Sequence, residues 1–129
     1  MRIFKTKWFV RYARVERIGD HSLREAIERA ERGIVDADLG SGIIKQRVAR
    51  RGQGRSGGYR LIIAYRPANR AVFLYGFAKN ERDNIEDDEL ETLREIGAAW
   101  LEAKADRIEH AIKEGILQEA SYNDGKQET

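Results

Sequence analysis

Cysteine is absent from this sequence, and histidine and proline are scarce, with two and one in 129 residues. The lack of cysteine excludes a disulfide framework, a thiolate nucleophile and a zinc site built on sulfur. His21 and His110 are too few to build an imidazole cage around a metal ion. The composition therefore predicts a protein without a metal or another cofactor.

Long hydrophobic runs are also missing. The longest apolar stretches, residues 61–65 and 71–78, are far shorter than the roughly 20 residues that a membrane-spanning helix needs. The first residues contain no apolar segment followed by small residues, the pattern of a secretory signal. We therefore expect the protein in the cytoplasm.

The length favours one domain, because compact domains typically have about 100 to 150 residues. Hydrophobic residues make up 41% of the chain, which is enough apolar material to close a small core without covalent or metal staples.

Charge is divided unevenly along the chain. Residues 1–80 carry 18 lysines and arginines against 7 acidic residues, whereas residues 81–129 carry 6 against 15. The net charge of +2 therefore hides a basic N-terminal part and an acidic C-terminal part.

The basic part includes a long segment without any acidic residue, from Leu39 to Asn80. Surfaces usually mix both signs, and an excess of one sign in this way is the footprint of a polyanion-binding surface, most simply nucleic acid. The alternative is that acidic residues of the C-terminal third fold back over the cations. Nine cations lie in the segment: Lys45, Arg47, Arg50, Arg51, Arg55, Arg60, Arg66, Arg70 and Lys79.

The first 35 residues predict a short strand and two helices. Ile3 and Phe4 begin the strand, and Thr6 is placed to cap the first helix. Ser22, with Glu25 three residues later, predicts the N-cap of a second helix that ends at Gly33.

Three strands are predicted next, at residues 43–48, 59–65 and 71–78, and the last of them has the continuous apolar character of a central strand. In the first, alternation places Ile44 and Val48 on one face and Lys45 and Arg47 on the other. Residues 52–58 predict a glycine-rich loop around Arg55. Either its backbone amides bind an anion, or the loop only connects two strands.

The acidic C-terminal part predicts helix. Asn84, with Asp87 three residues later, indicates a helix start, and the acidic residues that follow are favourable at the positive end of the helix dipole. One helix or two continue to Gly115. We expect the residues beyond Leu117 to be loose. Ile108, Ile112 and Ile116 recur at helical spacing, which predicts a self-packing or homodimer surface.

The fold class that follows is α+β: a small antiparallel sheet with two N-terminal helices packed on it and a C-terminal helix, all on one face of the sheet. The surface that follows is a concave group of cations from neighbouring strands, formed by Lys45, Arg47, Arg60 and Lys79. Tyr59, Tyr65 and Tyr75 are candidates to stack on a base.

Three segments carry a resemblance to a known family: KQR at residues 45–47, GRSGGYRLI at 54–62 and FLYGFAKNERDNI at 73–85. The chain resembles the RelE/HigB branch of the RelE/ParE toxins of bacterial type II toxin-antitoxin systems. The resemblance covers about residues 1–101 and divides the chain into a toxin domain, 1–101, and a helical extension with a polar tail, 102–129.

The resemblance implies a microbial RNase fold that cleaves mRNA, usually on the ribosome, without a metal ion, and that a cognate antitoxin blocks. It implies contact with operator DNA only through that antitoxin. Arg60 is implied to stabilise the transition state and Lys45 and Arg47 to hold phosphate, with Lys79 and Arg82 as further catalytic candidates. The acid-free basic segment and its tyrosines, rather than the resemblance, give the residues predicted to bind RNA: Arg50, Arg51, Arg55, Tyr59 and Tyr75.

The chain departs from the family pattern at two positions. Asn80 stands where RelE has a second arginine, and Glu86 stands where it has the tyrosine proposed as general base. Asp83, Asn84 or Tyr59 can substitute for that tyrosine. Two other functions therefore stay open: a ParE-like toxin that binds DNA gyrase, and a non-catalytic RNA-binding member of the fold.

Overall fold

A computed structural model describes residues 1–50 and 54–121 and shows one six-stranded sheet with four helices. The elements in chain order are β1 Arg2–Thr6, α1 Lys7–Glu16, α2 Asp20–Glu31, β2 Ala37–Gly40, β3 Ile43–Arg50, β4 Gly54–Arg66, β5 Arg70–Ala78, α3 Asp87–Glu102, α4 Ala105–Lys113 and β6 Leu117–Glu119. No helix in these residues is long and apolar enough to cross a membrane.

The strand order across the sheet is β2-β3-β4-β5-β1-β6. All neighbours are antiparallel except β1 and β5, which run parallel with Ile3 opposite Ala71. The α+β class is confirmed, as is a central position for β5, which has strands on both sides. The predicted antiparallel sheet is confirmed for every strand pair except this one, because β1 enters beside β5 in the same direction.

Helices cover both faces of the sheet, so the prediction that all helices pack on one face is wrong. On the first face, Phe9 of α1 and Leu23 of α2 pack over Leu61 and Ile63. On the second face, α3 and α4 pack over the alternate residues of the same strands, including Ile62. The central strands are apolar on both sides, which is the pattern of strands buried between two helical layers.

Two of the three predicted helix starts are displaced. The Thr6 hydroxyl accepts a hydrogen bond from the Phe9 amide, 3.2 Å away, so this N-cap is confirmed. The second helix begins at Asp20, two residues before the predicted Ser22 cap. The third begins at Asp87, because Glu86 and Glu89 form a reciprocal capping box that Asn84 does not take part in.

The C-terminal segment is ordered further than expected. Of the two possibilities, one helix or two, the structure has two, α3 and α4, and Leu117–Glu119 is a strand that pairs with β1 rather than a loose tail. Ile108 of α4 is buried in the core under the sheet, which is the self-packing alternative, while Ile112 is half-buried and Ile116 is exposed.

Gly58 allows β3 and β4 to approach closely at the end of the sheet. A Cβ atom there would lie 2.2 Å from the carbonyl oxygen of Val48 and 2.7 Å from the amide nitrogen of Arg50. The described part of the predicted glycine-rich loop, from Gly54 to Gly58, is therefore a strand and not a loop. Gly52 and Gln53 lie outside the described residues.

Candidate functional site

Three neighbouring strands bring four cations to the end of the sheet, on the face that α3 covers elsewhere. Arg47 of β3 lies directly opposite Arg60 of β4, and Lys45 lies opposite Ile62. Lys79, just beyond β5, joins the edge of β4 through its amide, 3.0 Å from the carbonyl oxygen of Gly58. We call these residues the cation surface: Lys45, Arg47, Arg60 and Lys79.

The electrostatics of the cation surface are those of like charges held together. Burial, followed by the charge of Arg47, lowers the pKa of Arg60, which is only 7% exposed. Burial also lowers the pKa of Lys45, and the charges of Arg60, Arg47 and Lys79 lower it further. Such a group of like charges attracts an anion, because a bound anion relieves the repulsion among the cations.

A buried polar network fixes the backbone beneath the cation surface. The Asp36 carboxylate accepts a hydrogen bond from the Arg47 amide at 2.6 Å, and the Arg29 guanidinium donates to the Arg47 carbonyl oxygen. Arg29 is only 3% exposed and also contacts Asp36. The backbone amide and the carbonyl oxygen of Arg47 are therefore both held by hydrogen bonds, one from Arg29 of α2 and one to Asp36 in the loop after it.

Gln46 completes this network from the core. Its side chain is fully buried, donates to the carbonyl oxygens of Ala26 and Ile34, and accepts from the Asp36 amide at 2.8 Å. The sequence analysis missed Asp36, Arg29 and Gln46. The one signal in the sequence is that Gln46 falls on the apolar face of a basic strand, where its amide needs hydrogen-bond partners.

The loop after β5 faces the cation surface with polar groups. Lys79 forms an ion pair with Asp83 at 2.8 Å, which lowers the pKa of that carboxyl. Lys45 lies 3.5 Å from the side-chain oxygen of Asn84. Two of the three candidates for a general base, Asp83 and Asn84, thus lie beside the cations.

Arg82 is engaged in holding the start of α3. Its guanidinium donates two hydrogen bonds to the Glu89 carboxylate, at 2.6 and 3.2 Å, and lies over the ring of Phe77. The same bonds raise the pKa of Arg82 and lower that of Glu89. The structure therefore places Arg82 beside the cation surface, but in an ion pair rather than directed at the four cations.

The third candidate base, Tyr59, lies on the opposite face of the sheet. Its ring is 4% exposed and packs in the core below α1, and its hydroxyl donates to the Glu16 carboxylate at 3.0 Å. The expectation that Tyr59 or Tyr65 offers a free ring to a base does not fit this burial. Tyr75 is half-buried, stacks on Trp8 at a centroid distance of 4.6 Å and accepts a hydrogen bond from Arg82.

The remaining sequence-predicted RNA-binding residues lie toward the tip of the sheet. Arg50 donates to the side-chain oxygen of Asn80 at 3.4 Å, and its guanidinium lies over the ring of Tyr59 at 5.6 Å. Arg51 and the side chain of Arg55 lie outside the described part of the chain.

Acidic residues of the C-terminal third reach this region, where Asp83 pairs with Lys79 and Glu89 pairs with Arg82. This is the arrangement that the alternative to a polyanion partner predicts. Neither Lys45 nor Arg47 forms an ion pair with a carboxylate in residues 1–50 and 54–121. Folding back of acidic side chains thus accounts for part of the basic segment and leaves Lys45 and Arg47 without a carboxylate partner in the described part of the chain.

The fold and this surface agree with the result of comparing the chain with known families. Residues 1–120 match the family described as the RelE toxin of the RelE / RelB toxin-antitoxin system. The chain therefore belongs to the RelE toxin family, and its function is that of a toxin in a toxin-antitoxin system. The match runs past Leu101 through α4 and β6. No curated protein and no solved structure matches the chain.

Proposed function

We propose that this RelE-family toxin is a metal-independent endoribonuclease that cleaves mRNA on the ribosome and so inhibits translation in the cytoplasm. The observation that carries the proposal is the cation surface itself: four cations from three strands, with Arg60 and Lys45 partly desolvated at its centre. The cation surface is a positively charged cradle for a phosphate. The polar side chains of Asp83 and Asn84 lie beside it.

The reaction needs little covalent participation from the protein. The ribose 2′-hydroxyl gives its proton to the Asp83 carboxylate beside Lys79, and its oxygen attacks the adjacent phosphorus. The bond to the 5′-oxygen breaks, that oxygen takes a proton from the protein, and the products are a 2′,3′-cyclic phosphate and a 5′-hydroxyl. Negative charge grows on the phosphoryl oxygens in the transition state. Prepositioned guanidinium and ammonium groups stabilise that charge, and they also orient the phosphate for in-line attack.

Each member of the cation surface has a role in this scheme. Arg60, held in a strand and mostly buried, contacts the phosphoryl oxygens that gain charge. Arg47, whose peptide Asp36 and Arg29 fix, binds the same phosphate from the neighbouring strand. A lowered pKa makes the Lys45 ammonium a stronger acid, which suits it to protonate the departing 5′-oxygen.

The partners follow from the family. A RelE toxin has a cognate RelB-type antitoxin. In our proposal this antitoxin blocks the toxin and supplies the contacts with operator DNA. mRNA on the ribosome is the substrate.

Expression of matched variants in a bacterial host tests the proposal. Wild type is expected to arrest growth and to create new 5′ ends inside translated regions, whereas Arg60→Ala does neither. Arg66→Ala is the control, since Arg66 lies on the same strand at the opposite end of the sheet and is exposed.

Other outcomes point to other functions. Arrest by wild type without new transcript ends would contradict the nuclease and favour a protein target such as DNA gyrase. RNA binding without arrest or cleavage would favour a non-catalytic member of the fold.

A further inference from the structure

The outer face of α1 carries a second group of cations that the cation surface does not include. Lys7, Arg11 and Arg14 follow at spacings of four and three residues, so they form one exposed stripe along the helix. Arg17 extends the stripe at the helix C-cap. We call these four residues the α1 stripe.

The α1 stripe has no internal neutralisation. None of its four side chains forms an ion pair or hydrogen bond within the part of the chain that the structure describes. The acidic residue of α1, Glu16, turns away and accepts a hydrogen bond from Tyr59.

Helix stability explains only part of these charges. Arg14 and Arg17 lie at the negative end of the helix dipole, where cations are favourable, whereas Lys7 places a cation at the positive end, where it is unfavourable. Arg17 adopts a left-handed conformation with φ of 59°, a position that glycine takes without steric cost. An arginine there costs backbone energy that a glycine would not.

The stripe leads into a polar groove. This groove has a volume of about 850 Å³ and lies between the end of α1, the start of α2 and the tip of the sheet. The cationic side chains of Arg14, Arg17 and Arg50 line it, together with His21 and the acidic Glu16. Because Arg50 also bonds Asn80, next to Lys79, the groove joins the α1 stripe to the edge of the cation surface.

We propose that the α1 stripe and this groove form a second RNA-binding surface, which grips the phosphate backbone of a folded RNA while the cation surface holds the strand to be cut. The inference rests on the proposed function for the identity of the polyanion. Unpaired cations in an exposed row are complementary to a phosphate backbone, which presents closely spaced charges along its length. At 1.5 Å per residue, Lys7 to Arg14 spans about 10 Å, which is several phosphates of one strand.

A binding measurement separates this surface from catalysis. The probe is a 2′-O-methylated RNA hairpin, which has no free 2′-hydroxyl and so cannot be cleaved by the proposed reaction. The variant is Lys7→Gln/Arg11→Gln/Arg14→Gln, and Arg11→Glu is a second, single change at an exposed position. The control removes three exposed cations elsewhere: Arg66→Gln/Lys104→Gln/Lys113→Gln.

The triple α1 variant is expected to bind the hairpin at least about tenfold more weakly at 0.1 M salt, with a log–log salt slope about 2 to 3 shallower than that of wild type. Arg11→Glu is expected to show the same change in smaller measure, and the control to keep the wild-type slope. Circular dichroism melting verifies that each variant is folded.

The inference and the proposed function fail in different ways. Binding that depends on the α1 stripe, in a protein that cleaves no unmodified mRNA, would overturn the nuclease and leave this surface standing. An unchanged affinity and slope in the triple variant would overturn the surface, whether or not mRNA is cleaved. Weaker binding of an acidic peptide, with RNA binding unchanged, would also overturn it and assign the stripe to a protein partner.

Discussion

Arg47 and Arg60 lie directly opposite one another on neighbouring antiparallel strands, so two guanidinium groups share one face of the sheet at its open end. Like charges in this relationship destabilise a strand pair. Three further features surround the pair: Lys45 beside it, a lowered pKa at Arg60, and a buried network that holds the Arg47 peptide. In the proposed function this repulsion lies where the RNA phosphate binds, and a bound phosphate relieves it.

Arg47→Gln is expected to make the protein more stable and less active. Removing one charge relieves the repulsion with Arg60 and Lys45, and we expect a gain of roughly 0.5 kcal/mol in the free energy of unfolding. mRNA cleavage is expected to fall at least tenfold, because a phosphate ligand is lost. Urea denaturation and a cleavage assay check the two effects, and loss of both stability and activity would contradict the account.

Asp36→Asn is expected to change the pH dependence of cleavage. The Asp36 carboxylate raises the pKa of Lys45, against the lowering by burial and the neighbouring cations. Without that charge the pKa of Lys45 falls further below its ordinary value of 10.5, so Lys45 loses its proton at a lower pH. The alkaline limb of the pH–rate profile therefore moves to lower pH.

Asp38→Asn is the matched control for this change, because Asp38 is exposed and bonds the Gly40 amide. It is expected to leave the profile in place. Asp36→Asn is also expected to cost about 1 kcal/mol of stability, since buried Arg29 loses an anionic partner. A profile that stays unchanged in Asp36→Asn would remove Lys45 from the proton transfer.

Tyr12→Phe is expected to stabilise the protein by about 1 kcal/mol. The Tyr12 hydroxyl is buried and has no hydrogen-bond partner in the residues that the structure describes, so phenylalanine loses nothing and avoids the desolvation cost. Tyr59→Phe is expected to have the opposite effect, because the Tyr59 hydroxyl donates to Glu16. Thermal melting of both variants tests the pair, and equal changes would contradict it.

The same tyrosine predicts a loss of stability in alkali. Burial, then the charge of Glu16, raises the pKa of Tyr12 above its ordinary value of 10.0. As the pH rises above 10, the unfolded chain releases the proton before the folded protein does, which favours unfolding. The decline in stability above pH 10 is expected to be shallower in Tyr12→Phe.

Gly58→Ala is expected to damage both stability and cleavage. The new Cβ would meet the backbone of β3 at Val48, and backbone atoms cannot move aside without opening the strand pair two residues from Arg60. We expect a cost of about 1–3 kcal/mol, typical of overpacking, together with reduced cleavage. Gly33→Ala serves for comparison: no atom lies within 4 Å, so only the strain of its positive φ is expected and cleavage stays.

Local patterns predicted the parts of the fold that depend on local physics. Alternation in β3 placed Lys45 and Arg47 opposite to Ile44 and Val48, and the Thr6 cap was found from one side chain and its position. Both faces of the central strands are apolar, which indicates helices on both faces, whereas the prediction had helices on one face and therefore missed the position of α3.

Long-range pairing accounts for the other errors. Leu117–Glu119 is too short and polar to predict as a strand, and it forms because the edge of β1 is free to receive it. The capping box at Glu86 displaced the predicted Asn84 cap by supplying two reciprocal bonds instead of one.

For the site, the acid-free segment located the cations, because charge is visible in sequence. The support beneath them was not visible, since Asp36 and Arg29 reach the Arg47 peptide only after α2 packs on the sheet. Tyr59 likewise does not belong to the cation surface: adjacent residues of a strand face opposite sides, so Tyr59 packs in the core on the face away from Arg60. The cations of the candidate site are thus easier to predict from sequence than the residues that support them.

The most direct test of the central claim is the chemistry of the cut ends. Purified protein is incubated with a translating ribosome preparation, and the terminal groups of the RNA products are then analysed. The account predicts 2′,3′-cyclic phosphate and 5′-hydroxyl ends, formed by wild type and absent with Arg60→Ala. Products with 5′-phosphate ends, or cleavage that Arg60→Ala retains, would contradict it.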